Sequence, residues 1–208
     1  MPQAFLPDRG VIEIRGEDAT SWLQGLVTCD VASLLDKEAR LGALLSPQGK
    51  ILFDFLIVRE DVPNETRYFL DTDRARAADL AKRLAFYRLR AKVSITDFSA
   101  PSAPLPFFIV AEWGGDYDEG WDGYADPRHP ALGRRVILEG EEAFHVGDPN
   151  AYHARRIALG VPEGGRDFAF GDAFPHEALM DRLGGVDFKK GCYVGQEVVS
   201  RMQHRGTA

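Results

Sequence analysis

Two apolar runs joined by a four-residue turn constrain this chain more than any other feature. Ala39–Leu45 (ARLGALL) and Lys50–Arg59 (KILFDFLIVR) flank Ser46-Pro47-Gln48-Gly49. Pro and Gly there suit the second and fourth positions of a type I turn, so the pair predicts a β-hairpin and antiparallel sheet. Asp54 interrupts the second run between Phe53 and Phe55. By alternation it shares a face with Leu52 and Leu56. Either that face is solvated, or the carboxylate is buried beside a ligand.

The flanking segments supply more strands and a few helices. Gly10–Arg15 and Thr66–Asp71 read as strands. Asp18 opens a helix whose Ala19, Trp22, Leu23 and Leu26 share a face. Asp71, Thr72 and Asp73 offer caps for a helix through Phe86, with Ala77, Leu80, Ala81 and Leu84 as its inner stripe. Arg88–Ile95 alternates, placing Arg88, Arg90, Lys92 and Ser94 on one face of an expected strand. That face is either plain solvent-facing sheet or an anion-binding wall. Ser99–Pro106 reads as a Pro-rich crossing and Gly114–Pro130 as a loop. Phe107–Trp113 and Arg134–Glu139 read as strands. Asp148-Pro149 opens a helix ending near Gly160. Phe174–Leu183 predicts a short helix, and Gln196–Met202 opens another after Gly195. The hairpins and polar strand faces favour α+β over a parallel sheet.

Charge narrows the function. A net charge of −7 argues against a general nucleic-acid binder. Two stretches run against the total: Arg74–Lys92 has seven Lys or Arg against Asp79, a local +6, and Arg182–Ala208 has five against two acids, +3. Such patches suit a small anionic ligand, or are solvated surface. No glycine-rich phosphate loop joins a strand to a helix, and no Ser sits in a nucleophile elbow. The five histidines are scattered, so no metal is expected. Two cysteines make no disulfide framework and fit a reducing compartment. The start MPQAFLPDRG has no apolar signal core and no apolar run approaches spanning length. A cytoplasmic location and no membrane partner are expected.

Cys192 lies in VDFKKGCYVGQEVVSRMQHRGTA, beside Lys189 and Lys190 and shortly before a predicted helix start. Such surroundings favour a thiolate, yet free cysteine is also a common core residue. Composition leaves both readings open.

Several segments together resemble the folate-binding YgfZ family, a relative of the glycine-cleavage T-protein: Leu6–Val31, Leu44–Phe55, Tyr87–Val93, Arg156–Gly165 and Phe174–Thr207. The most specific piece is Lys190-Gly191-Cys192-Tyr193-Val194-Gly195-Gln196-Glu197, matching the family's K-G-C-Y-x-G-Q-E signature. The resemblance implies two interlocked antiparallel-sheet lobes with flanking helices, approximately 1–48 with 145–208 and 49–144. It implies tetrahydrofolate as cofactor and iron–sulfur proteins or their assembly machinery as partners. Cys192 would be the essential thiol. Folate contacts are expected from Asp54, Arg88, Arg90 and Lys92, and from Lys190, Tyr193, Gln196 and Glu197 in the signature.

Two departures bear on mechanism. The T-protein's paired acids after the hairpin turn become Phe53-Asp54-Phe55, and its pterin-holding R-L-E-A-G becomes Arg156-Ile157-Ala158-Leu159-Gly160. Losing a charged acceptor costs about 1.5–3 kcal/mol of binding, which argues against aminomethyl transfer. A folate-dependent one-carbon transferase with Asp54 as surviving acid is the rival reading. A plain interaction module is the third. The resemblance also implies a small β-barrel after the signature, expected to be absent because the chain stops at Ala208.

Overall fold

A computed structural model describes residues 1–100, 103, 106–115, 123–140 and 147–205. The crossing over 99–106 and the loop over 114–130 therefore lie partly outside the described residues. Among these residues nine strands and four α-helices follow in order: β1 (Gln3–Leu6), β2 (Arg9–Arg15), α1 (Ala19–Gln24), β3 (Ala39–Leu45), β4 (Ile51–Val62), β5 (Glu65–Asp73), α2 (Arg74–Arg88), β6 (Ser94–Asp97), β7 (Phe107–Glu112), β8 (Tyr124–Ala125), β9 (Arg134–Glu139), α3 (Pro149–Ala158) and α4 (Gln196–Arg205). They build two antiparallel sheets, ordered β3-β4-β5-β2-β6 and β1-β7-β9-β8. Among the described residues neither sheet closes into a barrel, and no helix is long and apolar enough to cross a membrane.

The expected hairpin is β3–β4, with Leu41 opposite Leu56 and a register shift at Leu44/Leu45 beside the turn. β3 and β4, on either side of position 48, thus belong to one sheet. The five-stranded sheet is covered on both faces, which explains why β4 is apolar nearly throughout. Phe53, Phe55 and Ile57 join Leu23, Leu80 and Leu84 beneath α1 and α2. Leu56 and Val58 face the other way, into the core shared with Ile109 and Ala111 of the second sheet. Each such side chain contributes about 1.5–3 kcal/mol of burial.

Two expectations change. Arg88–Ile95 is not one strand: α2 runs on through Arg88, Leu89 turns the chain, and only Ser94–Asp97 pairs, against β2. Tyr87 continues the inner stripe by packing with Ala81 on the α1–α2 core, so helical burial outcompetes the alternation. Leu89 has φ +46, a backbone setting that costs a non-glycine residue on the order of 1–2 kcal/mol. Arg88, Arg90 and Lys92 therefore form no strand wall. Phe174–Leu183 is a series of turns, closed by Ala178 N–H to Phe174 O (3.2 Å) and Met180 N–H to Pro175 O (2.9 Å). Leu179 at φ +56 interrupts any helix there. Of the three cap candidates, Asp71 and Thr72 lie within β5, and Asp73 accepts from Ala75 N.

Candidate functional site

The signature segment is built onto the hairpin. Asp187 N–H donates to Thr28 O at 2.9 Å, and the Thr28 hydroxyl donates to Gly185 O at 2.5 Å while accepting from Ala43 N at 2.9 Å. The Asp187 carboxylate then accepts from the backbone of Lys189 (2.6 Å) and Lys190 (3.0 Å). Lys190 Nζ turns inward, donating to Val27 O (2.6 Å) and Cys29 O (2.5 Å). Burial pulls this lysine's pKa down, against Cys29, Asp30 and Asp187. Gln24 Nε2 donates to Lys190 O at 3.3 Å.

Gly195 fixes the far side. It has φ +82, and a Cβ there would stand 2.5 Å from Ser46 O and 3.3 Å from Gly49 Cα. The turn's glycine, Gly49, is pressed in the same way by Val198. The Gln196 side chain accepts from Tyr193 N at 3.3 Å, and Glu197 pairs with Arg201 at 2.7 Å on the exposed face of α4. The two most recognisable pieces of sequence thus meet in space, turn against signature.

This frame divides the cysteines. Cys29 is buried in the core, and burial pushes its thiol up to about 11 despite Lys190 and Arg40. Cys192 is exposed, at the rim of a shallow hollow with Pro47, Gln196, Glu197 and Ser200. The Lys190 ammonium is committed to the Val27 and Cys29 carbonyls, and Tyr193, Val194 and Gly195 stand between Cys192 and the first residue of α4. Tyr193 is buried beneath, with its hydroxyl unpartnered and its pKa pushed up to about 12 by burial and Asp187.

Asp54 lies elsewhere, on the inter-sheet face of β4 and buried. Its Oδ2 accepts from Gly164 N at 2.9 Å, and its Oδ1 has no partner. Burial pushes its carboxyl up, opposed by Arg9 and the Gly164 N–H and reinforced by Glu163. An acid whose folded pKa is raised costs stability above that pKa, and the cost vanishes below the unfolded value near 4. Asp54→Asn should therefore melt above the parent protein at pH 7, with the gap closing by pH 4. Thermal melts across that range check it.

Sequence reasoning missed the charge lattice around Asp54. Arg9 and Arg135 both grip Asp71, Arg9 Nε at 2.6 Å, and the Tyr124 hydroxyl donates to the same carboxylate at 2.9 Å. Arg128 binds Asp126 through two nitrogens, at 2.7 and 2.9 Å. Nearby, Asp8, His153 and Glu163 bring ligand-type atoms within 4.8 Å of one another. Their surroundings are cationic, however. Arg166 holds Asp8 at 2.7 Å, and Arg156 and Arg166 each lie 3.5 Å from Glu163. Arg156 Nε also donates to His153 Nδ1 at 3.3 Å. That bond keeps the ring proton on Nε2, which faces Asp8 at 3.5 Å. The trio reads as ion-pair lattice.

Arg88, the last residue of α2, and Arg90 and Lys92 just after it are exposed, with Lys92 Nζ 2.6 Å from Glu17. Among the described residues no hydrogen bond or ion pair joins this corner, Asp54 and the signature directly. α1 touches two of them: Trp22 Nε1 donates to Tyr87 O at 3.1 Å, and Gln24 reaches Lys190.

No protein-family model matches the chain. A protein of Mycosarcoma maydis named iron-sulfur cluster assembly factor IBA57 homolog, mitochondrial, is 33% identical over 222 residues, which cover 98% of this chain and 54% of the relative. Its namesake from Neurospora crassa is 32% identical over 220 residues, covering 97% and 50%. The chain spans about half the length of these curated relatives. The cytoplasmic location expected from the sequence is overturned by their names, which place them in the mitochondrion. Among solved structures, the glycine cleavage system aminomethyltransferase T of Bartonella henselae superposes with a TM-score of 0.76 at 15% identity, over 99% of this chain and 64% of that one. In sequence the chain is similar to mitochondrial iron–sulfur cluster assembly factors, and in fold it is similar to aminomethyltransferase T.

Proposed function

We propose that the chain supports assembly or repair of iron–sulfur proteins through the thiol of Cys192, and that it binds tetrahydrofolate. The observation that carries the thiol role is the contrast between the cysteines: Cys192 is exposed on a backbone fixed at Lys190 and Gly195, whereas Cys29 is sealed in the core. A thiol held outward on a fixed frame can meet a cluster, a persulfide or another thiol without a large ordering cost. The relatives named as iron–sulfur cluster assembly factors support the same reading. Cys192→Ser should abolish rescue of iron–sulfur enzyme activity in a strain lacking the protein, at unchanged protein level. Full rescue by the serine variant refutes the thiol role.

The residues present fit folate in part. The unpartnered Oδ1 of Asp54 is a buried acceptor of the kind a pterin's donor edge needs. Ala158, at the last turn of α3, is exposed and offers no second acceptor. Saturable but weak binding in calorimetry is the expected result, lowered further in Asp54→Asn. One-carbon transfer would use the same carboxyl. Formation of methylene-tetrahydrofolate from an aminomethyl or N-methyl donor, lost in Asp54→Asn, would establish that rival.

A further inference from the structure

We propose that the corner formed by the end of α2 and the turn after it docks the protein on an anionic lipid bilayer surface. From Leu80 to Thr96 the chain carries five cations and no acid. Phe86 is 73% exposed and Leu89 90%. Phe86 rests edge-on against Tyr87, ring centroids 5.7 Å apart, at the edge of an open hollow it shares with Asp79, Lys82 and Arg83, and Leu89 stands outward beside it.

The corner is rigid as well as apolar. Leu89 is held at φ +46, and Ala91 N–H closes the turn onto Arg88 O at 2.8 Å. Lys92 N–H donates to Asp18 at 2.8 Å, and Trp22 Nε1 ties α1 to Tyr87 O. Leu89 is therefore presented outward by a braced backbone. Lys92 is engaged by Glu17, whereas Lys82, Arg83, Arg88 and Arg90 have no ion pair among the described residues.

Charge and shape together select the occupant. In a chain of net charge −7, a local surplus of this size orients the molecule toward a negative surface. A side chain as exposed as Leu89 needs a matching pocket in a protein partner, but a lipid interface accepts it without complementarity. Cations around an apolar tip reach the headgroups while the tip enters the acyl boundary. This is contact with one leaflet, not a span.

The test is co-sedimentation with vesicles of phosphatidylcholine alone and of phosphatidylcholine with one third phosphatidylglycerol. The protein should sediment with the anionic vesicles and not the neutral ones, and should be released as salt is raised. Arg88→Gln with Arg90→Gln should weaken binding about thirtyfold, at about fivefold per charge. Phe86→Ser with Leu89→Ser should remove most of the remainder, and circular dichroism melts confirm that both double variants stay folded. Equal sedimentation with both vesicles, or wild-type binding by the serine variant, overturns the proposal. So does retention on immobilised polyglutamate without vesicle binding, which would assign the corner to an acidic protein.

Discussion

Replacing Asp71 by Asn is expected to lower the unfolding free energy by about 3–5 kcal/mol, because it strands buried guanidinium groups. Asp71 sits on β5 and is fully buried; Arg9 comes from the same sheet, while Arg135 and Tyr124 come from the other. One carboxylate therefore bolts the two sheets together across their shared core. Removing its charge leaves Arg9 with Glu163 at 3.9 Å and Arg135 with Asp126 at 3.3 Å, too few anions for two guanidiniums at 4% and 0% side-chain exposure. The pH dependence follows from the same contacts. Burial pushes the Asp71 carboxyl up, but Arg135 and Arg9 outweigh it and hold it below the usual range. A depressed carboxyl stabilises the fold above its unfolded pKa near 4 and loses that contribution as pH falls through the folded value. Urea unfolding at pH 7 and at pH 3 should show the parent's advantage over Asp71→Asn shrinking at the lower pH. An unchanged gap would mean that the carboxylate's charge is not the source.

Gly195→Ala should abolish the function assigned to Cys192 while leaving the thiol in place. The added methyl meets Ser46 O at 2.5 Å, and the backbone stands at φ +82, so at least about 1–2 kcal/mol of strain falls on this contact. The cheapest escape is for the signature to lift from the hairpin turn, carrying Cys192 with it. The expected result is loss of rescue as complete as in Cys192→Ser, with Cys192 still reactive toward a thiol reagent and the global melt little changed. Rescue by Gly195→Ala at wild-type level would show that the turn does not position the signature.

The strands were legible because their apolar residues alternate and their ends carry turn chemistry: β2, β3, β7 and β9 stand within one residue of where the pattern puts them. Arg88–Ile95 was not. Its alternation is real, but Tyr87 just before it continues the stripe of Leu80 and Leu84, and burial of that stripe carries the helix on through Arg88. β1 has no such pattern to offer; four residues become a strand because β7 pairs with them. The charge lattice was the least readable part. Arg9, Asp71 and the neighbouring Asp126 and Arg135 come from three segments far apart in sequence, and each residue alone looks like a surface residue. Asp71 lies between Leu70 and Thr72 in a strand covered on both faces, which was the one available signal. At the site, the sequence pointed to Cys192, and the structure adds how Thr28, Asp187 and Gly195 hold its surroundings. It also removes Lys190 as a neighbour free to act on the thiol.

The short link between β1 and β2 has a consequence for how the chain is made. Pro7 and Asp8 separate two strands that belong to different sheets. β2 finds partners in β5 and β6, but β1 must wait for β7, whose first residue, Phe107, comes 101 positions after Leu6. At ordinary translation speeds that wait is on the order of 5–20 s. During synthesis Gln3–Leu6 is therefore an unmatched ribbon attached to an already forming sheet, open to any other extended segment that reaches it first. The ribosome's pace, as much as the sequence, sets how long that exposure lasts.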